Sequence, residues 1–220
     1  MGLDLDLAYI IRVLPLLLKG AVTTVELAVL AIIFGTLIGL VIALAKIAPY
    51  PLLNILGRIY TWVFRGIPLL VQLIFIYYAL PAVGIEFTSF QAAVIGMSLC
   101  GGAYIAEIIR SGILSIDKGQ MEAALSLGMT YAQAMRRVII PQTYRRLIPP
   151  MGNEFISLTK DTALVSSIAM TELLRQAQLR AAADFKPMEM YFAAAVLYLV
   201  LTTFFTLVFS KLESKLALID

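Results

Sequence analysis

Apolar residues gather into several runs of about 20 positions or more, separated by short polar stretches, and each run is long enough to cross a bilayer core as a helix. Ahead of them, Leu3 to Leu18 sets Leu3, Leu7, Ile10, Ile11, Leu14 and Leu18 at helical spacing beside Asp4, Asp6 and Arg12, which predicts an amphipathic helix lying in the membrane interface. A first span follows over 21–47, with Thr23, Thr24 and Glu26 near its start and a Gly35/Gly39 pair suited to close helix packing. The second, 52–80, is interrupted near Arg65-Gly66-Ile67-Pro68, where proline removes a backbone donor and bends or breaks the helix. The third, 90–113, carries the small residues Ser98, Gly101, Gly102 and Ala103 ahead of Tyr104 and Glu107. A fourth, 147–168, is the most polar, and a fifth, 188–209, carries charge only at its start, on Glu189. Between the third and fourth, 117–141 turns polar enough to leave the membrane as one or two short helices, while 171–187 reads as a mixed-charge loop. The pattern therefore predicts an all-α integral membrane protein, one domain over 1–220 with five transmembrane helices.

Composition agrees: 61% of residues are apolar or aromatic, 14% are charged and the mean hydropathy is +0.92, values that exclude an ordinary soluble domain. The net charge of +3 does not indicate nucleic acid, because the basic residues lie in stretches between apolar runs. Eleven of the seventeen Lys and Arg fall on one side of the predicted spans and five on the other, so the richer side is cytoplasmic, the N-terminus outside and the C-terminus inside. With no histidine anywhere, His-based triads, His-ligated metals and histidine proton relays are excluded. Cys100 stands alone, without a partner for a disulfide or a metal. The acidic N-terminus does not resemble a cleavable signal peptide. HExxH and GxSxG are both missing, so neither a catalytic residue nor a metal site is expected, and the chain is not read as an enzyme.

The chemistry concentrates in the fourth span, which holds Asn153, Glu154, Ser157, Lys160 and Asp161. Glu154 and Asp161 are seven residues apart, nearly two helical turns, so their carboxylates share one stripe about 10 Å apart with Ser157 between them. Each intramembrane charge costs roughly 2.5–3.5 kcal/mol on insertion scales, and two carboxylates on one stripe suit a cationic ligand in a wet cavity. Ser157, Asn153, Ser98, Ala103 and Tyr104 are the expected neighbours of such a ligand. The alternatives are a buried network in which Glu154, Asp161, Glu107 and Lys160 satisfy one another, or Lys160 anchoring a substrate carboxylate. Trp62, Tyr60, Tyr77 and Tyr78 read as aromatic-belt anchors near the ends of the second span.

In the 117–141 loop, Glu122-Ala123-Ala124 and Gly128 offer a flat, low-profile surface for another protein; a connector lying on headgroups, held by Arg136 and Arg137, is the alternative. Glu122-Ala-Ala, three residues, Gly128, nine residues and Val138-Ile-Ile-Pro141 resembles the EAA loop of ABC-importer permeases, with Val138 and Ile140 as conservative departures. Arg65-Gly-Ile-Pro-Leu-Leu-Val-Gln72 is similar to a stretch of the polar amino-acid subgroup, and the resemblance runs from about Thr23 to the last span. It implies a permease subunit for polar amino acids, with arginine, lysine or histidine favoured by the two carboxylates and glutamine or glutamate as alternatives. It also implies a coupling helix between the third and fourth spans that docks on an ATPase subunit through Glu122, Ala123, Ala124 and Gly128. The implied partners are that ATPase, a second permease copy or a sister permease, and an extracytoplasmic substrate-binding protein, in a bacterial inner membrane. No GxxxxGK[ST] loop is present, so ATP and Mg are expected on the partner ATPase and no cofactor on this chain. A secondary transporter using Glu154 and Asp161 as ion sites is the rival outside this family.

Overall fold

In the computed structural model, which describes residues 5–217, helix α1 runs unbroken from Leu7 to Ile47. The expected interfacial helix is therefore the N-terminal end of α1, not a separate element; its Leu3 and Asp4 lie outside the described residues. Packing explains the continuity. Tyr9, Val13, Leu17 and Ala21 recur every fourth residue and dock on Leu173, Ala177 and Ala181 of α8 (Leu173–Asp184) and on Met190, Ala193 and Ala194 of α9 (Pro187–Ala217). Gly20 permits the approach, since a Cβ there would stand 2.9 Å from the Leu173 Cα. The stretch read as a loop over 171–187 thus contains α8, whose N-cap Glu172 is fully buried. Its carboxylate accepts from the Leu174 and Arg175 amides (2.8 and 2.7 Å), from the Tyr198 hydroxyl at 2.6 Å and from Thr24 at 3.4 Å, tying α8 to α9 and α1.

After α1 the chain turns into α2 (Pro51–Gly66), breaks, and resumes as α3 (Leu69–Ile74), which runs through a π turn at Phe75–Ala79 into a 3-10 turn at Leu80–Val83. The halves bend by 98° at the proline the sequence singles out. Ile67 is extended, and the Gln72 side chain donates to the carbonyls of Phe64 (3.0 Å) and Ile67 (2.8 Å), occupying acceptors that the broken helix leaves open.

Helix α4 (Ser89–Leu114) starts from a Thr88/Gln91 capping box and packs along α1. The Gly35/Gly39 pair is where the two approach: a Cβ on Gly39 would lie 2.8 Å from Ile105 Cγ2 and 3.0 Å from the Ala106 amide. Tyr60, expected at a membrane boundary, instead donates its hydroxyl to the Leu99 carbonyl at 2.7 Å, whereas Trp62 is 76% exposed.

Beyond α4 come α5 (Lys118–Ser126) and α6 (Tyr131–Ala134). From α6 the helix continues through a π turn at Met135–Ile139 into α7 (Ile140–Asp161) and ends in a 3-10 stretch, Thr162–Ile168. The second half of 117–141 is therefore the root of the helix that carries Glu154. Among the described residues, helices α1, α4 and α9 are long and apolar enough to cross a membrane, and α2 and α3 meet that measure only when taken together, as a broken span or a re-entrant loop. Helix α7 does not meet that measure because Arg145, Arg146, Glu154, Lys160 and Asp161 interrupt its apolar face.

Candidate substrate site

The break between α2 and α3 opens one wall of a cavity of about 360 Å³. Arg65, Gly66, Ile67, Pro68 and Leu69 line it from the break, Cys100, Gly101 and Tyr104 from α4, and Glu154, Ser157, Leu158 and Asp161 from α7. The residues between these helices explain the space. Gly101 faces Leu158 and Glu154, and a Cβ there would sit 3.2 Å from Leu158 Cδ2 and 3.8 Å from Glu154 Oε1, so glycine keeps the floor open.

Glu154 and Asp161 both reach this cavity from one stripe of α7, with Ser157 between them and Tyr104 opposite. Among the described residues neither carboxylate has a salt bridge or a side-chain hydrogen bond. The self-satisfied network of Glu154, Asp161, Glu107 and Lys160 does not form. Glu107 pairs with Lys46 across α1, with Arg110 Nε at 2.9 Å, and with Arg65 at 3.8 Å, while Lys160 points to the exposed side of α7. Two half-buried carboxylates, unbridged among the described residues and facing one lining cation, Arg65, leave the site complementary to a cationic guest.

Three of the expected neighbours lie elsewhere. Asn153, one residue before Glu154 and so about 100° around the helix, is exposed and does not line the cavity. Ser98 is 3% exposed and lines a separate apolar groove between α1 and α4, its hydroxyl lacking a partner among the described residues. Ala103 is fully buried in the helix interface. In their place stand Arg65, from the stretch the sequence marks as a helix break, Gly101, from its run of small residues, and Cys100, a lone cysteine it gives no site role; their convergence depends on the α2–α3 bend.

At the far end of α4, α5 is capped by Asp117, and Gly128, at φ +81°, ends it: Met129 and Gly128 donate to the carbonyls of Ala124 (3.2 Å) and Leu125 (2.9 Å). Gly128 is thus a helix stop set by left-handed geometry. Glu122 and Ala123 are exposed and Ala124 is buried, so Ala124 fastens α5 to the body. The exposed apolar groups are Leu125, Leu127 (80% exposed) and Tyr131, which the sequence reading did not select. A high local share of exposed apolar side chains on a polar loop was the available signal.

Comparison with known proteins places the arrangement. Residues 35–218 match the family described as binding-protein-dependent transport system inner membrane component. The chain is 37% identical over 215 residues to the arginine transport system permease protein ArtQ of Bacillus subtilis (strain 168), covering 97% of this chain and 98% of that one. It is likewise 37% identical over 219 residues to the glutamine transport system permease protein GlnP of Escherichia coli (strain K12), covering 99% and 100%. Among solved structures, an amino acid ABC transporter crystallised with histidines superposes with a TM-score of 0.92 at 40% identity, covering 98% of this chain and 100% of its own.

Proposed function

Because the chain belongs to the family of binding-protein-dependent transport system inner membrane components, as the permease subunit of an amino-acid ABC importer, we propose that its polar cavity holds a cationic amino acid during passage across the inner membrane. The observation that carries this is the pair of carboxylates, Glu154 and Asp161, converging on one cavity with no salt bridge to either among the described residues and a single basic side chain, Arg65, in its lining. Arginine, lysine and histidine supply that cation; Ser157 and Tyr104 supply hydrogen-bond partners. A glutamine permease is as similar in sequence as an arginine permease, so a neutral substrate is the competing reading.

As a permease subunit the chain is a membrane channel component and not an enzyme. We further read 147–168 as the remaining crossing, its two carboxylates turned toward the cavity, with the N-terminus outside and the C-terminus cytoplasmic. Glu122 and Ala123, flanked by Leu125 and Leu127, form the surface offered to an ATPase subunit that binds ATP and Mg, with Ala124 and Gly128 holding its shape. A second permease copy or sister completes the pathway, and an extracytoplasmic binding protein delivers substrate.

The test is ATPase stimulation in liposomes containing the permease, its ATPase and binding protein loaded in turn with arginine, lysine, histidine or glutamine. Stimulation by cationic substrates that drops at least tenfold in Glu154→Gln or Asp161→Asn supports the reading; unchanged stimulation in both variants returns the carboxylates to a structural role.

A further inference from the structure

The cavity that holds two carboxylates is also lined by one basic side chain, Arg65. It stands at the last turn of α2, where the helix ends before Pro68 and the 98° bend. A second cavity, lined by Arg58, Thr61 and Trp62, adjoins the first and shares Arg65, Gly66 and Tyr104 with it. A Cβ on Gly66 would meet nothing within 4 Å, so the backbone next to Arg65 borders open space.

Three cations surround Glu107, and Arg65 is the most loosely held of them. Lys46 is 8% exposed and bonds the carboxylate directly, Arg110 donates to it at 2.9 Å, and Arg65 stands 3.8 Å away with 44% of its side chain exposed. Glu107 is thus compensated without Arg65, whose positive charge remains available to the cavity. Its guanidinium lies over the Tyr104 ring at 5.2 Å, which fixes the fork in one plane while leaving its donors free.

An amino acid entering a cavity with two carboxylates brings a carboxylate of its own, which those groups repel. A planar guanidinium opposite them matches that carboxylate with two parallel hydrogen bonds, a geometry an ammonium lacks. We propose that Arg65 binds the substrate's α-carboxylate, Glu154 and Asp161 taking its positive groups, and that Arg65 therefore makes the site select amino acids over the corresponding amines. This rests on the reading of the polar cavity as the substrate site.

The test measures binding to the permease–ATPase complex in nanodiscs, without binding protein, using two matched pairs: arginine with agmatine, and glutamine with 4-aminobutanamide. The wild-type complex is expected to favour each amino acid over its decarboxylated partner by about tenfold or more, the scale of one charge-assisted hydrogen-bonded pair. Arg65→Gln should erase that preference by weakening the amino acids alone, agmatine binding as well or better, and Arg65→Lys should retain part of it. A preference unchanged in Arg65→Gln, or amino acid and amine weakened equally, overturns the proposal. Agmatine binding doubles as the control that the variant is folded. Failure of the underlying reading looks different: no ligand then responds to Glu154→Gln or Asp161→Asn, whereas loss of cation affinity in those variants beside an intact preference in Arg65→Gln refutes Arg65 alone.

Discussion

The Gln72 side-chain amide stands 2.8 Å from the Ile67 carbonyl, so the residue that begins the second turn of α3 caps the helix that ended before it. One side chain thereby holds the 98° bend on which the cavity wall depends.

Replacing Gln72 by Leu removes the donor while preserving bulk, leaves the Ile67 carbonyl short of a partner and the Phe64 carbonyl with only the Cys100 thiol, beside a residue that is 7% exposed. A loss of about 1–3 kcal/mol is expected. A lowered melting temperature of the purified complex, together with weakened substrate binding, would show it; an unchanged melt would mean that the bend stands without its cap.

Gly39 is expected to tolerate no side chain. A Cβ there would press on both the Ile105 side chain and the Ala106 backbone, and backbone cannot move aside cheaply. Gly39→Val should cost about 1–3 kcal/mol through overpacking, read as reduced yield and thermal stability in detergent, while Gly66→Ala, with open space around it, should match wild type in the same assay.

Gly128 occupies a left-handed conformation at the end of α5. Gly128→Ala should strain that stop by about 1–2 kcal/mol, and Leu127→Asp should place charge on an 80% exposed apolar position. Both are expected to impair capture of the ATPase subunit in a pull-down of the two purified components and to leave amino-acid binding in the cavity within about twofold. Equal loss of both would contradict the separation of docking from binding.

At the start of α1, Lys186 bonds Asp6, and this contact, followed by the Tyr9 amide at 2.9 Å, holds the Asp6 carboxyl below its ordinary value. A depressed carboxylate stabilises the fold in full above the unfolded pKa, near 3.9, and the contribution disappears as pH falls through the lower folded value. Melting curves of wild type and Asp6→Asn should therefore differ at pH 6 and converge at about pH 2. A difference that persists at low pH would assign the role of Asp6 to packing alone.

Much of this protein was legible before any coordinates. Long apolar runs have few homes other than a bilayer, Pro68 announces a break by lacking a donor, and charges inside a span advertise themselves because they are costly there, as Glu154 and Asp161 do. For the loop from Glu122 to Pro141 the expected role came from its resemblance to a known loop pattern. Only the tertiary structure decided which groups meet. Glu107 takes Lys46 from 61 residues away, not Lys160; Arg65 joins the two carboxylates across the bend; Asn153 turns outward beside Glu154 because adjacent helical residues point about 100° apart. The fusion of the first amphipathic stretch with the first span, and the helix within 171–187, depend on the contact of Gly20 with Leu173 and on the bonds of Glu172 to Thr24 and Tyr198. Local sequence sets what a segment costs to bury, and contacts between distant segments set where that cost is offset.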